Sequence, residues 1–294
     1  PATPMPDRLG DDIQAIAQAF HGVVGVCAID LSTGAPRELV AVNPDRRFPT
    51  ASTIKTAVML EAYHQAAEGR LTFDTPVTLR TADVVGGSGV LRDLHDGLIV
   101  TVADAIQLMI GSSDNTATNL LIGKLGTASV NARLDTYGLT HTRLFRPTFR
   151  DGRPDVLPDL EREFGLGMTT PRDMAKLLAL IATERAVNAE ASHAMLTTLR
   201  RQQDRAMIPR LLTADGLEIG NKTGTDEEKQ PGPRGVKGQV RADAAIVTGP
   251  NGLRYVLAIY AREIEDPRWT VDNDALTTGA RISRLIYDAL RAGK

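Results

Sequence analysis

The sequence predicts an α+β fold, an antiparallel sheet flanked by helices with an all-helical domain inserted into it. Strand-like apolar runs occur near the start of the chain and return only in its last third, while helical periodicity fills the middle. The 294 residues, 42% hydrophobic and 24% charged, suffice for a large core. The pattern divides the chain into a discontinuous sheet domain, residues 1–47 and 206–294, and a helical domain, 48–205, with a cleft at their junction.

Turn signals run through residues 1–12, followed by an amphipathic stretch at 13–19. Strands are expected at 23–30 and 38–42, joined as an antiparallel hairpin by Ser32-Thr33-Gly34-Ala35-Pro36. Cys27, the single cysteine, lies in the first of these apolar runs; no internal disulfide is possible, and the thiol reads as a small core hydrophobe. Residues 52–69, rich in Ala, Met, Leu and Glu without an internal Gly or Pro, predict a helix that Gly69 can end. Further helices follow at 102–110, 116–125, 129–137, 171–184 and 192–201, the fourth opened by Pro171 at a favoured first-turn position. Strands return at 217–223, 242–247 and 255–260, and a helix over 274–292 closes the pattern. The segments 146–168 and 226–238, punctuated by Pro and Gly, read as long loops able to wall the cleft.

Charge excludes some functions. A net charge of −2, from 34 basic and 36 acidic residues, creates no field that would concentrate nucleic acid or acidic membrane, so a small-molecule substrate fits better. No run approaches the roughly 18 apolar residues of a membrane span. The five histidines form no metal-binding spacing, and no cofactor motif is present; Gly86-Gly87-Ser88-Gly89 is followed by neither Lys-Ser nor Lys-Thr, so it is no phosphate cradle. No metal, cofactor or nucleic acid partner is expected, and the chain reads as a monomer.

Three short strings stand out: Ser52-Thr53-Ile54-Lys55, Ser113-Asp114-Asn115 and Lys222-Thr223-Gly224. Each alone is weak, and their order along one chain carries the weight. A serine hydroxyl needs a base to take its proton as it attacks a carbonyl, and a lysine can serve if its ammonium form is destabilised. On a helix, residues three apart share a face, so Ser52 and Lys55 can approach each other. Lys222 supplies a second cation, which lowers the pKa of Lys55 and, with Thr223 and Thr225, suits a substrate carboxylate. Free N–H groups at the helix start and at Thr225 can stabilise an oxyanion. Ser113 falls at a corner between two helices, where its hydroxyl can relay a proton to a leaving nitrogen; Asn115 can orient Lys55 and bond a substrate amide. Arg241 is a further candidate for reaching a substrate carboxylate.

These strings resemble those of the class A β-lactamases and penicillin-recognising serine hydrolases. The likeness extends through Phe48-Pro49-Thr50-Ala51, Gly87-Ser88-Gly89-Val90-Leu91, Asn119-Leu120-Leu121, Thr169-Thr170-Pro171-Arg172-Asp173-Met174 and the terminal helix. The resemblance implies Ser52, Lys55 and Ser113 as catalytic residues, Asn115, Lys222, Thr223 and Thr225 as substrate-binding ones, and a periplasmic or secreted location. One departure matters. Class A enzymes carry a Glu-x-x-Leu-Asn string whose Glu activates the water that releases the acyl group, and here Arg146 is followed by Pro147-Thr148-Phe149, with Thr148 in the place of that Glu. A neutral hydroxyl cannot act as general base near pH 7. Acylation by β-lactams with slow release is therefore expected. The alternatives are a D-Ala-D-Ala carboxypeptidase or esterase inhibited by β-lactams, and a penicillin-binding sensor without turnover. Asp151, Asp155, Asp159, Glu161 and Glu163 could in principle replace the missing base, with Glu161 the strongest single candidate.

Overall fold

The computed structural model describes residues 5–292. Helix α1 (Met5–Ala19) leads into the hairpin β1 (Val23–Asp30) and β2 (Arg37–Val42), and β3 (Phe48–Pro49) precedes the helical section. The expected turn through residue 12 is corrected in part. Residues 1–4 lie outside the described residues, but the helix is already formed at Met5. Pro6 is tolerated in a first turn, and the cost of Gly10, about 1 kcal/mol, is offset by burial of Leu9 and Ile13 one turn apart.

The helical section runs through α2 (Lys55–Ala67), the small pair β4 (Pro76–Thr78) and β5 (Ile99–Thr101), then α3 (Val102–Gly111), α4 (Asn115–Leu125) and α5 (Thr127–Thr136). After β6 (Arg143–Leu144) come α6 (Pro158–Phe164), β7 (Gly167–Thr169), α7 (Pro171–Ala182) and α8 (Ala189–Arg200). Local capping explains where these helices start. Thr101 accepts from Asp104 N at 3.1 Å while Asp104 accepts from Thr101 N, and Asp114, Thr170 and Asn188 each bond the backbone of their helix's first turn. Gly69, with φ +71°, ends the turn beyond α2.

The chain returns through β8 (Glu218–Glu227), β9 (Gln239–Gly249) and β10 (Leu253–Ile264) and finishes in α9 (Asp274–Ala292). Five strands form one antiparallel sheet in the order β2-β1-β10-β9-β8. Every residue of β1 is buried because both faces are covered, which is why its sequence lacks clean alternation. Val24, Val26 and Ala28 face a core shared with α1 and α9, while Val23, Cys27 and Ile29 face the larger core of the middle helices. Burial pushes the Cys27 thiol up to about 11, as fits a core residue.

The segment 146–168 is not the structureless loop expected from its prolines. It contains α6 and the start of β7, which pairs with both β3 and β6. Pro158 opens α6 in its first turn and Gly165, φ +73°, closes it. Seven residues are too few for a helical period to declare itself.

Candidate active site

Ser52 sits in a single 3-10 turn, Ala51–Ile54, that feeds α2, so Lys55 opens the helix. The turn is held from behind: Thr53 Oγ1 donates to Thr50 O at 2.7 Å and shares a 2.8 Å hydrogen bond with the buried Tyr260 hydroxyl of β10. Ala51 takes φ +43°, a left-handed conformation costly for any residue with a Cβ, immediately before the serine. The edge strand β8 presses against this elbow. A Cβ on Gly224 would lie 2.8 Å from Thr50 O and 3.3 Å from Ser52 N, so only glycine permits the approach.

The two lysines meet on Ser113. Lys55 Nζ lies 2.8 Å from Ser113 O, 3.2 Å from Ser113 Oγ and 2.8 Å from Asn115 Oδ1. Lys222 Nζ, from β8, lies 3.0 Å from the same Ser113 Oγ and 2.8 Å from Thr223 O. Both lysines are fully buried. Burial, followed by the charge of Lys222, drives Lys55 well below the ordinary lysine range. Burial also pushes Lys222 down to about 7, against the opposing pull of Asp204 and Asp243. Ser52 Oγ makes no hydrogen bond among the described residues; the polar contacts of Lys55 go instead to Ser113 and Asn115.

The corner carrying Ser113 is rigid. Ser113 itself has φ +57°, and Asp114, almost fully buried, accepts from Ala117 N, Val90 N and Leu91 N, so one carboxylate caps α4 and ties down the 86–91 loop. Asn115 Nδ2 donates to Gly86 O at 3.1 Å, and Ser88 Oγ to Ser113 O at 2.7 Å. Ser52 is shared by two adjoining cavities. One, polar, is lined by Ser113, Asp204, Thr223 and Thr225; the other, about 290 Å³, is lined by Asn115, Thr148, Phe149, Asp151 and Lys229 among others. All seven residues singled out from the sequence thus lie on the middle of β8, at the 3-10 turn and helix starts that face it, and at the Ser113 corner. Arg241 does not join them: its guanidinium donates to Gln239 Oε1 and the carbonyls of Val240 and Arg268, and stacks 4.6 Å from the Trp269 ring.

Thr148 lines the cleft where a base would be needed, but its Oγ1 donates to Asn119 Oδ1 at 2.9 Å and its backbone is held by the same side chain. The carboxylates of the 146–168 segment are engaged elsewhere. Glu161 is buried against Arg146, 2.7 Å away, and accepts from Gly152 N. Asp155 takes the Thr127 hydroxyl at 2.6 Å, Asp159 pairs with Arg162, and Glu163 lies 3.8 Å from Arg262. Only Asp151 among them lines the cavity with Ser52, and it is ion-paired to Arg146 and, at 3.3 Å, to Lys229. Lys229 in turn is fixed because its neighbour Glu228 is buried and accepts from Arg262 Nε, Glu263 N and Gly238 N.

Sequence reasoning did not find Asp243, Phe149 or Lys229. Asp243 left one signal, a lone charge in the apolar strand run Ala242-Asp243-Ala244. It is wholly buried beside the Lys222 strand, pushed up to about 7 by burial while Asn221 Nδ2 and Ile208 N donate to it at 2.9 Å. The other two belong to loops, where no periodicity points a side chain anywhere.

Fold and cleft together are those of the serine hydrolases that include β-lactamases and penicillin-binding proteins. The chain belongs to the beta-lactamase enzyme family, whose model matches residues 8–290. It is similar to the β-lactamase from Sphaerobacter thermophilus DSM 20745 at 31% identity, covering 97% of this chain and 98% of that one with a TM-score of 0.79. A point mutant of PBP-A, solved as an acyl-enzyme complex with penicillin G, is 28% identical over 97% of both chains, TM-score 0.79. A representative class A β-lactamase from Bacteroides cellulosilyticus DSM 14838, 21% identical over 99% of this chain and 100% of that one, shares the fold at a TM-score of 0.82.

Proposed function

We propose that Ser52 is the nucleophile of an acyl-transfer reaction on β-lactams and that the acyl-enzyme is released slowly. In this reading neutral Lys55 takes the Ser52 proton as Oγ attacks the carbonyl, a contact that forms with substrate seated. The N–H groups of Ser52 and Thr225 receive the oxyanion, Ser113 passes a proton to the leaving nitrogen as the ring C–N bond breaks, and Lys222, Thr223 and Thr225 hold the substrate carboxylate. The depressed basicity of buried Lys55 supports its role as base.

The observation that carries slow release is Thr148. A water above the ester finds a hydroxyl already committed to Asn119, and the nearby carboxylate Asp151 is ion-paired to two cations. Incubation with a penicillin followed by intact-mass measurement tests this. A persistent adduct of one penicillin mass on Ser52 is expected, and fast hydrolysis without adduct overturns it.

The same missing base favours a second reading, a D-Ala-D-Ala carboxypeptidase or esterase for which β-lactams are inhibitors. Multiple turnover on a D-Ala-D-Ala peptide or simple ester, with only a stoichiometric burst on nitrocefin, selects it; no turnover on any of them selects a penicillin-binding sensor. An exported monomer, with the cleft at the junction of a 48–205 helical domain and the sheet domain, completes the proposal. No helix among the described residues is long and apolar enough to cross a membrane.

A further inference from the structure

Phe149 is a large apolar side chain left 55% exposed, and it stands inside the cleft that holds Ser52. Its backbone, at φ +57°, is forced into the left-handed region directly after Thr148, which two backbone-to-side-chain hydrogen bonds with Asn119 fix in place. The opposing loop is fixed as well, since Gly86 O accepts from Asn115 Nδ2 and Gly87 O from Arg92. The ring fills the space a side chain on that loop would need: a Cβ on Gly87 would sit 2.9 Å from Phe149 Cζ, and one on Gly86 3.5 Å from Cε1. Two tethered loops therefore hold an aromatic ring against bare backbone, and the ring is open to the cleft.

The cavities on either side of Ser52 differ in one respect. Toward Lys222 the lining is hydroxyls, amides and a carboxylate; toward Phe149 the ring and Leu166 add apolar surface, beside the mutually engaged charges of Arg146, Asp151, Asp226 and Lys229. A substrate whose carbonyl reaches Ser52 and whose carboxylate reaches Lys222 must send its acyl substituent toward the ring. We propose that Phe149 is a specificity-determining residue, its ring forming with the Gly86 and Gly87 backbone the wall that receives an aromatic acyl substituent. The proposal rests on Ser52 being the acylated residue only for the direction in which the substrate lies.

Binding without chemistry tests it. In a Ser52→Ala background, calorimetry compares penicillin G, which carries a phenylacetyl group, with 6-aminopenicillanic acid, which has the same nucleus and no acyl substituent. Penicillin G should bind more tightly, and adding Phe149→Ala should remove about tenfold of that preference, the size expected for one aromatic contact. Phe149→Tyr should restore it. Alanine takes up the same strained φ as phenylalanine, and the exposed ring contributes little to the core, so thermal unfolding of the variant should match its parent. Equal weakening of both ligands, or no preference between them, overturns the assignment. Adduct formation by the unaltered chain is read separately, so loss of the Ser52 reading and loss of the Phe149 reading give different results.

Discussion

Lys55 and Lys222 converge on one oxygen, their Nζ atoms 3.2 and 3.0 Å from Ser113 Oγ. A hydroxyl can accept from both, and in a buried site the charge of Lys222 disfavours the ammonium form of Lys55. Lys55 is the one driven further down, by burial first and by Lys222 second. Lys55→Ala should therefore lower the acylation rate by about 10³-fold. Lys222→Ala should mainly weaken binding of carboxylate-bearing substrates, and should also move the rising limb of the acylation pH profile to higher pH as Lys55 regains basicity. Stopped-flow acylation at varied pH and substrate concentration separates the two, and an unshifted limb removes the coupling.

Burial pushes Lys222 down to about 7. Below that pH it is an ammonium and attracts a carboxylate; above it the charge, and the attraction, are lost unless the ligand draws in a proton. KM for a carboxylate-bearing substrate should rise as pH passes through 7. Lys222→Arg keeps its charge across the range and should flatten the profile. A flat profile in the parent protein contradicts the assignment.

Thr148→Glu places a carboxylate where the cleft lacks a free one, at the expense of the Asn119 hydrogen bond. The adduct half-life should shorten by about 10²-fold, and Thr148→Val, which adds no base, should leave it unchanged. Time-resolved mass spectrometry of the penicillin adduct decides.

Gly224→Ala forces a methyl group to within 2.8 Å of Thr50 O. Because that atom is backbone, the strand must shift away from the Ser52 elbow, separating the donors proposed for the oxyanion. A loss of about 10- to 100-fold in acylation is expected with KM little changed. Equal effects on KM and rate point to general disruption instead.

Glu161→Gln leaves a hydrogen-bond acceptor but strips the charge from a buried partner of Arg146. Thermal unfolding should register a cost of about 3 kcal/mol, while adduct lifetime stays as it was. A longer-lived adduct would make Glu161 the missing base after all.

The sheet strands and the main helices were legible because each rests on a local rule, a period or a cap, and the seven site residues because three short strings follow one another in a fixed order along the chain. What escaped depends on distance. The helix α6 is too short for a period and lies among prolines, and α1 hides Gly10 behind burial of Leu9 and Ile13. The engagement of Glu161 by Arg146 and of Thr148 by Asn119 follows from loops folding back on the helices, which no stretch of sequence encodes alone. Arg241 illustrates the converse: its residue type and strand suit a carboxylate, but neighbouring carbonyls and Trp269 already occupy it.

Strand β8 occupies one edge of the five-stranded sheet and meets the 3-10 turn that precedes α2, formed by a far earlier part of the chain. That meeting requires closure of the whole sheet, an assembly dominated by contacts remote in sequence and therefore slow. Covalent labelling by a fluorescent penicillin during refolding should accordingly lag behind recovery of helical circular dichroism, making the label a reporter of the last stage of assembly.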